Sequence, residues 1–500
     1  MRLIALSITL CALMCSACFG QVGSGVLLEQ DEQAFALFGT SVAIDGEWMA
    51  VGAPWWDDLA HVPEPFFDSG SVSIYRRIKG QWVFHTRALP DTNDSQIRAQ
   101  FGISVSLNNG YLFVGANLAD QFNVLRAGRV RVYQVDAGGE NNWGLTQVID
   151  PPNPSLNARF GISVDSAGDR LVIGEYKYDG HGRVHVYQLL NEKSQWAPEA
   201  VLDPIESCRH VNREFGSAVA IDQMDDGRYA LIVGDRGAFV RRRCPGDDGV
   251  GGTGWVEKGG AVHFYDTRDG DWRAVNAIEH AQANDGLMVG DELFGVAVDI
   301  SSGYAVASAP RHGRFVLNDD GNGAYSRHGM VMVIEYNEAA DLWERQEYFY
   351  PYSAADPERL FGTGIDIEGD VLAITTKAGN LLSFYGRHSG GAINTWGEFL
   401  TIQVEGLTNA SALGKVVFDS SAVVIGASSE GIGGIALSFD ADLSSCPVDI
   451  NRDSSIDVFD VSLFVDAFVA QDSVADFTSD GIIDFFDVSA FLRSFANGCP

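Results

Sequence analysis

A Phe-Gly pair that opens the same pattern again and again limits what this chain can become. It stands at Phe38-Gly39, Phe101-Gly102, Phe160-Gly161, Phe215-Gly216, Phe294-Gly295 and Phe361-Gly362, and a degenerate seventh copy begins at Leu413-Gly414. Successive copies start 52 to 79 residues apart. Such self-similarity means that one supersecondary unit recurs in an array and that no unit buries its apolar surface alone. A length of 500 residues would otherwise suggest two or three domains. The repeat points instead to one large array, followed by a short tail of different texture.

Each copy reads as four strands. In the first, Ser41-Val42-Ala43-Ile44 and Trp48-Met49-Ala50-Val51 flank Asp45-Gly46, and apolar alternation around that dipeptide signals a hairpin. Gly70-Ser71-Val72-Ser73-Ile74-Tyr75 forms the third strand and returns as Val130-Arg131-Val132-Tyr133, Val184-His185-Val186-Tyr187 and Val262-His263-Phe264-Tyr265. The fourth strand is marked by Trp82, Trp143, Trp196, Trp272, Trp343 and Trp396. The seventh copy lacks this tryptophan, while Val26-Leu27-Leu28-Glu29-Gln30 is an apolar strand with no unit of its own. If that strand completes the last unit, the array closes into a ring with no open sheet edge. The expected fold is an all-β seven-bladed β-propeller.

At these residues the chain resembles a known family. The Phe-Gly opening, the Val51-Gly52-Ala53-Pro54 close of the second strand and Ser308-Ala309-Pro310 look like FG-GAP repeats, the blades of integrin-alpha-like propellers and of many bacterial surface proteins. The resemblance runs from about residue 26 to 440 and implies the fold rather than the function. Many such repeats hold calcium in an acidic loop between the first two strands. Here that place carries short turns, and the nearest approach, Asp222-Gln223-Met224-Asp225-Asp226-Gly227, is spaced as an acidic hairpin turn.

Sixty-seven acidic against 34 basic residues give a formal charge of -33, which excludes nucleic acid and anionic membrane surfaces as natural partners. Residues 1–20 carry Arg2, an apolar run from Leu3 to Leu13 and small residues up to Gly20, the shape of a signal peptide. Export to the cell surface or medium follows as the expectation, with a lipid anchor at Cys18 as the alternative to ordinary cleavage. No later stretch is apolar for the 18 or so residues that a transmembrane span needs. Beyond the leader the chain keeps four cysteines, an even number that suggests two disulfides in an exported protein. Proximity pairs Cys208 with Cys244 and Cys446 with Cys499.

Loops between second and third strands share one face with the inter-blade loops, and the insertions concentrate there. The longest are 236–260 and 311–329; aromatic pairs add to the face at Trp55-Trp56, Phe66-Phe67 and Tyr348-Phe349-Tyr350-Pro351-Tyr352. Exposed aromatics beside acidic groups suit a sugar ring or a peptide, and packing over the blades is the alternative. No catalytic constellation stands out: there is no HExxH, no Gly-x-Ser-x-Gly elbow and no phosphate-cradling loop. His312, His328 and His388 read as solvated loop histidines.

From Cys446 two matched units follow, 27 residues apart: Asp449 to Asp460 and Asp476 to Asp487. Oxygen donors at loop positions 1, 3, 5, 9 and 12 with a carbonyl at 7 are what a hard cation demands. The first set is Asp449, Asn451, Asp453, Ser455, Asp457 and Asp460; the second is Asp476, Thr478, Asp480, Ile482, Asp484 and Asp487, with Ser455 and Ile482 acting through their carbonyls. Two calcium ions are expected. Ser454 at the turn position and Thr478 at position 3 depart from the usual residues and imply weaker binding. Ile456 and Ile483, at position 8, would pair the two loops. After each loop comes an amphipathic helix, with Val461, Phe464, Val465 and Phe468 in one and Val488, Phe491, Leu492 and Phe495 in the other.

This loop-helix pair resembles a dockerin module, and its Gly498-Cys499-Pro500 ending is similar to the variant at the C-termini of planctomycete secreted proteins. The resemblance implies a cohesin-like partner, or an envelope component, bound through positions 10 and 11: Val458, Phe459, Phe485 and Phe486. The organisation read from sequence is a leader at 1–20, a propeller at 21–445 and a dockerin-like module at 446–500. The function read with it is an exported, non-enzymatic binding or adhesion protein whose propeller takes a glycan or protein ligand. A secreted polysaccharide-degrading component and a structural envelope protein are the alternatives.

Overall fold

The computed structural model describes residues 26–27, 33, 35–58, 67–90, 98–121, 123–190, 195–205, 213–238, 259–279, 293–317, 323–351, 360–387, 389, 395–404, 413–419, 422–427, 434–440, 448–450, 458–477 and 482–497. Among them are seven four-stranded antiparallel sheets, the blades of an all-β propeller. Blades one to six occupy residues 41–88, 101–149, 160–202, 215–279, 298–349 and 361–403, and in each the strands neighbour one another in chain order. The seventh blade runs Val416–Asp419, Ala422–Ala427, Ile435–Asp440, and its outer strand is Val26–Leu27 from the other end of the chain. Val26 pairs with Ser438 and Leu27 with Leu437.

The first hairpin shows how the local pattern sets the strands. Asp45 faces Trp48 across Gly46 and Glu47, and Gly46 takes a φ of +56°, which lets the two-residue turn close. Alternate residues then fall on opposite faces, and because each blade is covered on both faces the second strand Trp48–Ala53 is buried along its whole length.

Seven apolar cores fill the seven spaces between neighbouring blades. The one that closes the ring joins Val42, Met49 and Val51 of blade one to Ala422, Val424 and Ala436 of blade seven. The repeated phenylalanine belongs to these cores: Phe101, Phe160, Phe215 and Phe294 are fully buried. It also fastens blade to blade, since Phe101 bridges in parallel to Gly70 of blade one and Phe38 to Gly434 of blade seven. Gly70 takes a φ of +86°, and a Cβ there would lie 2.1 Å from the Phe101 carbonyl, so no other residue fits. The outer-strand tryptophans reach back to the preceding blade. Trp196 meets Phe113 edge-on at 5.0 Å, Trp343 stacks on Phe264 at 4.8 Å and Trp396 meets Tyr304 at 5.7 Å.

The insertion at 311–329 is not a plain loop. Gly313–Leu317 and Gly323–Arg327 pair as an extra hairpin, an arm rising between the second and third strands of blade five. After the propeller come two helices, α1 at Val458–Ala470 and α2 at Phe485–Asn497. No helix among the described residues is long and apolar enough to cross a membrane.

Candidate functional site

Three places gather polar chemistry: the start of each C-terminal helix, the central channel, and a groove at the rim between blades five and six.

The helices pack through an aromatic box. Phe464 and Phe491 stack at 4.0 Å with their planes 5° apart, and Phe477 meets both edge-on at 5.5 and 5.2 Å. Val448, Ile450, Leu463 and Ala467 complete the core, with Val461, Phe468, Val488 and Phe495 at its margin. Two residues expected on the apolar stripes differ: Val465 is 50% and Leu492 53% exposed. The reason is rotation, because Leu463 and Ala467 turn α1 about an axis that a strict i, i+3, i+4 rule does not anticipate, and α2 is covered on one flank only.

Of the expected calcium ligands, Asn451, Asp453, Ser455, Asp457, Thr478 and Asp480 lie outside the described residues, as do Ile456 and all four cysteines, Cys208, Cys244, Cys446 and Cys499. Asp449, Asp460, Asp476, Ile482, Asp484 and Asp487 are described. Asp460 and Asp487, the two twelfth positions, are completely buried in the first turns of their helices. A buried carboxylate persists only with partners. Part of the answer at α2 is a reciprocal cap: Asp484 accepts the Phe486 N–H at 2.7 Å, and Asp487 accepts the Asp484 N–H at 2.8 Å. Carboxylates in the first turn of a helix also suit its dipole. Phe485 and Phe486, expected to face a partner, are 73% and 69% exposed; the side chains of Val458 and Phe459 lie outside the described set.

The channel is a cavity of about 210 Å³ lined by the inner strands of all seven blades. Each inner strand is an edge of its own sheet, so its outer N–H and C=O groups need partners that no strand supplies. Side chains provide them in three tiers. Ser41, Ser104 and Ser163 donate to the carbonyls of Gly102, Gly161 and Gly216 on the next blade, at 2.8, 2.9 and 2.9 Å. Asp165, Asp299 and Asp366 accept the N–H groups of Ile221, Ile367 and Phe418 on the next blade, at 2.8, 2.6 and 2.8 Å. Asp222 and Ser301 accept the N–H groups of Ser302 and Gly369 at 2.8 and 3.1 Å.

The middle tier is electrostatically costly. Burial pushes Asp165 up to about 6, against the Ile221, Ser166 and Ser106 hydrogen bonds and the charge of Lys415. Burial raises Asp299 to about 7, with the Asp165 charge adding to it, and Asp366 sits well above the ordinary carboxylate range because it is buried beside Asp299. Sequence reasoning passed over these carboxylates, though a signal exists: four residues after the repeat glycine, three copies carry Asp where the other four have Ala43, Ser106, Ala220 and Phe418.

The rim groove, of about 560 Å³, contains Tyr348 and Tyr350, whose exposed rings stack 6.4 Å apart at 16°. Phe349, between them, is buried. Glu335 accepts the Tyr304 hydroxyl at 2.8 Å, and burial raises Glu347, which accepts the Trp396 backbone N–H. His312 corrects the expectation of a solvated loop histidine. It is buried, its ring lies 5.7 Å from Tyr350, and its carbonyl accepts the Gly329 N–H at the base of the arm. His328 is half-buried, and His388 lies outside the described residues. In blade one, Trp56 is buried beneath Arg87, whereas Trp55 and Phe67 are exposed; Phe66 and Tyr352 are outside the described set. The acidic stretch 222–227 is a hairpin turn, in which Gly227 donates to Met224 and Asp226 pairs with Arg228. Among the described residues, no three acidic, histidine or cysteine side chains converge as a metal cluster.

The FG-GAP repeat family matches residues 25–75, which take in Val26–Leu27 and blade one as far as Tyr75 in its third strand, and such repeats are typical of extracellular proteins. No curated protein matches the chain. Among solved structures, Saccharomyces cerevisiae Sqt1 aligns with 82% of this chain and 97% of its own at 11% identity and a TM-score of 0.43, a likeness that carries no argument.

Proposed function

We propose that the chain is an exported binding protein: the propeller presents a ligand-recognition surface, and the C-terminal helix pair is a calcium-dependent docking module. A seven-bladed propeller with an FG-GAP repeat is a binding or adhesion type of fold. The observation that carries the docking half is the pair Phe485 and Phe486. Every other phenylalanine described in the two helices and between them is at least partly buried, yet these two stand exposed side by side at the start of α2. Exposed large aromatics in a contiguous pair mark an interaction surface rather than a core.

In this reading two calcium ions are held by Asp449, Asn451, Asp453, Ser455, Asp457 and Asp460, and by Asp476, Thr478, Asp480, Ile482, Asp484 and Asp487. Calcium supplies the charge that lets these acids converge. Asp460 and Asp487 anchor the helices, the aromatic box joins them, and Phe485 and Phe486 with Val458 and Phe459 meet a cohesin-like protein or an envelope component. Disulfides Cys208–Cys244 and Cys446–Cys499 belong to the same proposal. The test is a calcium-dependent capture of envelope proteins by the full chain, compared with the Phe485→Ala/Phe486→Ala variant. A partner retained by that variant, or captured equally well in chelator, sinks the docking assignment.

A further inference from the structure

We propose that the rim groove between blades five and six binds a neutral saccharide. The inference rests on reading the propeller as a ligand-binding module, and it names that module's ligand class. Four aromatic residues line the groove, Tyr304, Tyr348, Tyr350 and Trp396; the other four are Glu335, Glu347, Gln346 and Thr395. Not one is aliphatic and not one is cationic. A sugar ring offers an apolar C–H face to an aromatic surface and hydroxyl groups to carboxylate, amide and hydroxyl partners, so this lining answers both halves of its chemistry. The volume of about 560 Å³ lies within the range of pockets that enclose small ligands.

The same residues argue against other occupants. An apolar peptide side chain would find no aliphatic wall. An anion would meet two carboxylates on a chain of net charge -33. A cationic peptide would meet a cation already in place, since the Arg387 guanidinium lies 4.8 Å from the Tyr304 ring centre. The stacked pair Tyr348 and Tyr350, two residues apart at the end of the blade's outer strand, Leu342–Phe349, is exposed at the groove. His312 braces the second ring, which ties the groove to the base of the arm.

The experiment titrates the full-length protein, in calcium, with cellohexaose, xylohexaose and laminarihexaose by calorimetry and saturation-transfer NMR. One of the three is expected to bind, with its ring protons saturated. Tyr350→Ala and Tyr348→Ala are each expected to weaken it roughly tenfold, the loss typical of a stacking anchor; Glu347→Gln weakens it less. Both tyrosines are exposed, so the melting temperature of these variants stays that of the parent and a folding defect is separable. Absence of binding by all three sugars, or affinity unchanged in the Tyr348→Ala/Tyr350→Ala variant, overturns the proposal. So does a trilysine peptide that binds the parent and is lost in Glu335→Gln/Glu347→Gln. A glycan or protein array separates the two levels of inference: binding that survives the tyrosine substitutions but needs the arm at 313–327 refutes the groove and leaves the wider reading standing, whereas no ligand of any kind refutes both.

Discussion

The propeller and the C-terminal helix pair solve the same problem, burying apolar surface, in opposite ways. In the propeller each blade shares a core with a neighbour on either face, and the last shared core joins blade seven to blade one. Burial is therefore collective, and every blade is held by two others. Among the described residues the helix pair has one core, of seven buried residues. A core that small leaves little margin over chain entropy and calls for a staple. The difference teaches where acids are placed. In the propeller, carboxylates stitch one blade to the next from inside the channel; in the tail, Asp460 and Asp487 are buried in the first turns of the helices, and at α2 the Asp484 and Asp487 carboxylates accept backbone N–H groups of the helix start.

Four perturbations test that contrast, from the largest expected effect to the smallest. Chelation of calcium from the full chain is expected to abolish the helical signal of the tail and expose it to protease, while the β signal of the propeller persists. A single transition that takes both together would break the comparison. Gly52→Val attacks the propeller at a blade contact: a Cβ there lies 2.1 Å from the Gly102 carbonyl, backbone against backbone. A loss of about 4 kcal/mol or more is expected in denaturant melts, because neither side has a flexible atom to give. Phe491→Ala removes the fully buried ring stacked on Phe464 and is expected to cost about 3–5 kcal/mol, confined to the tail's transition.

The fourth concerns pH. Asp165, Asp299 and Asp366 titrate above the ordinary carboxylate value of 3.8. The folded state thus holds their protons more tightly than the unfolded chain does, so this contribution is complete below about pH 4 and is lost as pH rises through the values near 6 and 7. Propeller stability measured by denaturant is expected to fall across that window, and Asp299→Asn/Asp366→Asn is expected to remove a slope worth on the order of 1–3 kcal/mol. A propeller whose stability rises from pH 4 to 7 in the parent and not in the variant would show that the carboxylates act as charges instead.

How much was legible depended on whether a residue's role is local. The blades were legible because Phe, Gly and Trp recur at the points where strands turn, bridge and pack, and each of those jobs leaves a periodic mark. The missing tryptophan of the seventh copy and the unassigned Val26-Leu27 were visible as two halves of one defect. The helices were legible from their spacing, but their rotation was not, because Val465 and Leu492 are exposed through which neighbours arrive rather than through their own pattern. The arm at 313–327 pairs Phe315 with Tyr325 and Val316 with Ala324, yet the run of Asn, Asp and Gly between its strands reads as loop. His312 looked solvated because its neighbours in sequence are polar; its neighbours in space are Tyr350 and the foot of the arm.

By itself the sequence determined the ring: a strand period of two, turn glycines and a repeated aromatic anchor admit few other ways to bury seven equivalent units. Only the tertiary structure decided which side chains converge. Asp165, Asp299 and Asp366 meet in the channel from three separate copies, and Tyr304, Tyr350 and Trp396 meet at the rim from two blades. The physical reason is that backbone periodicity acts over a few residues, whereas proximity across a ring depends on how the blades close.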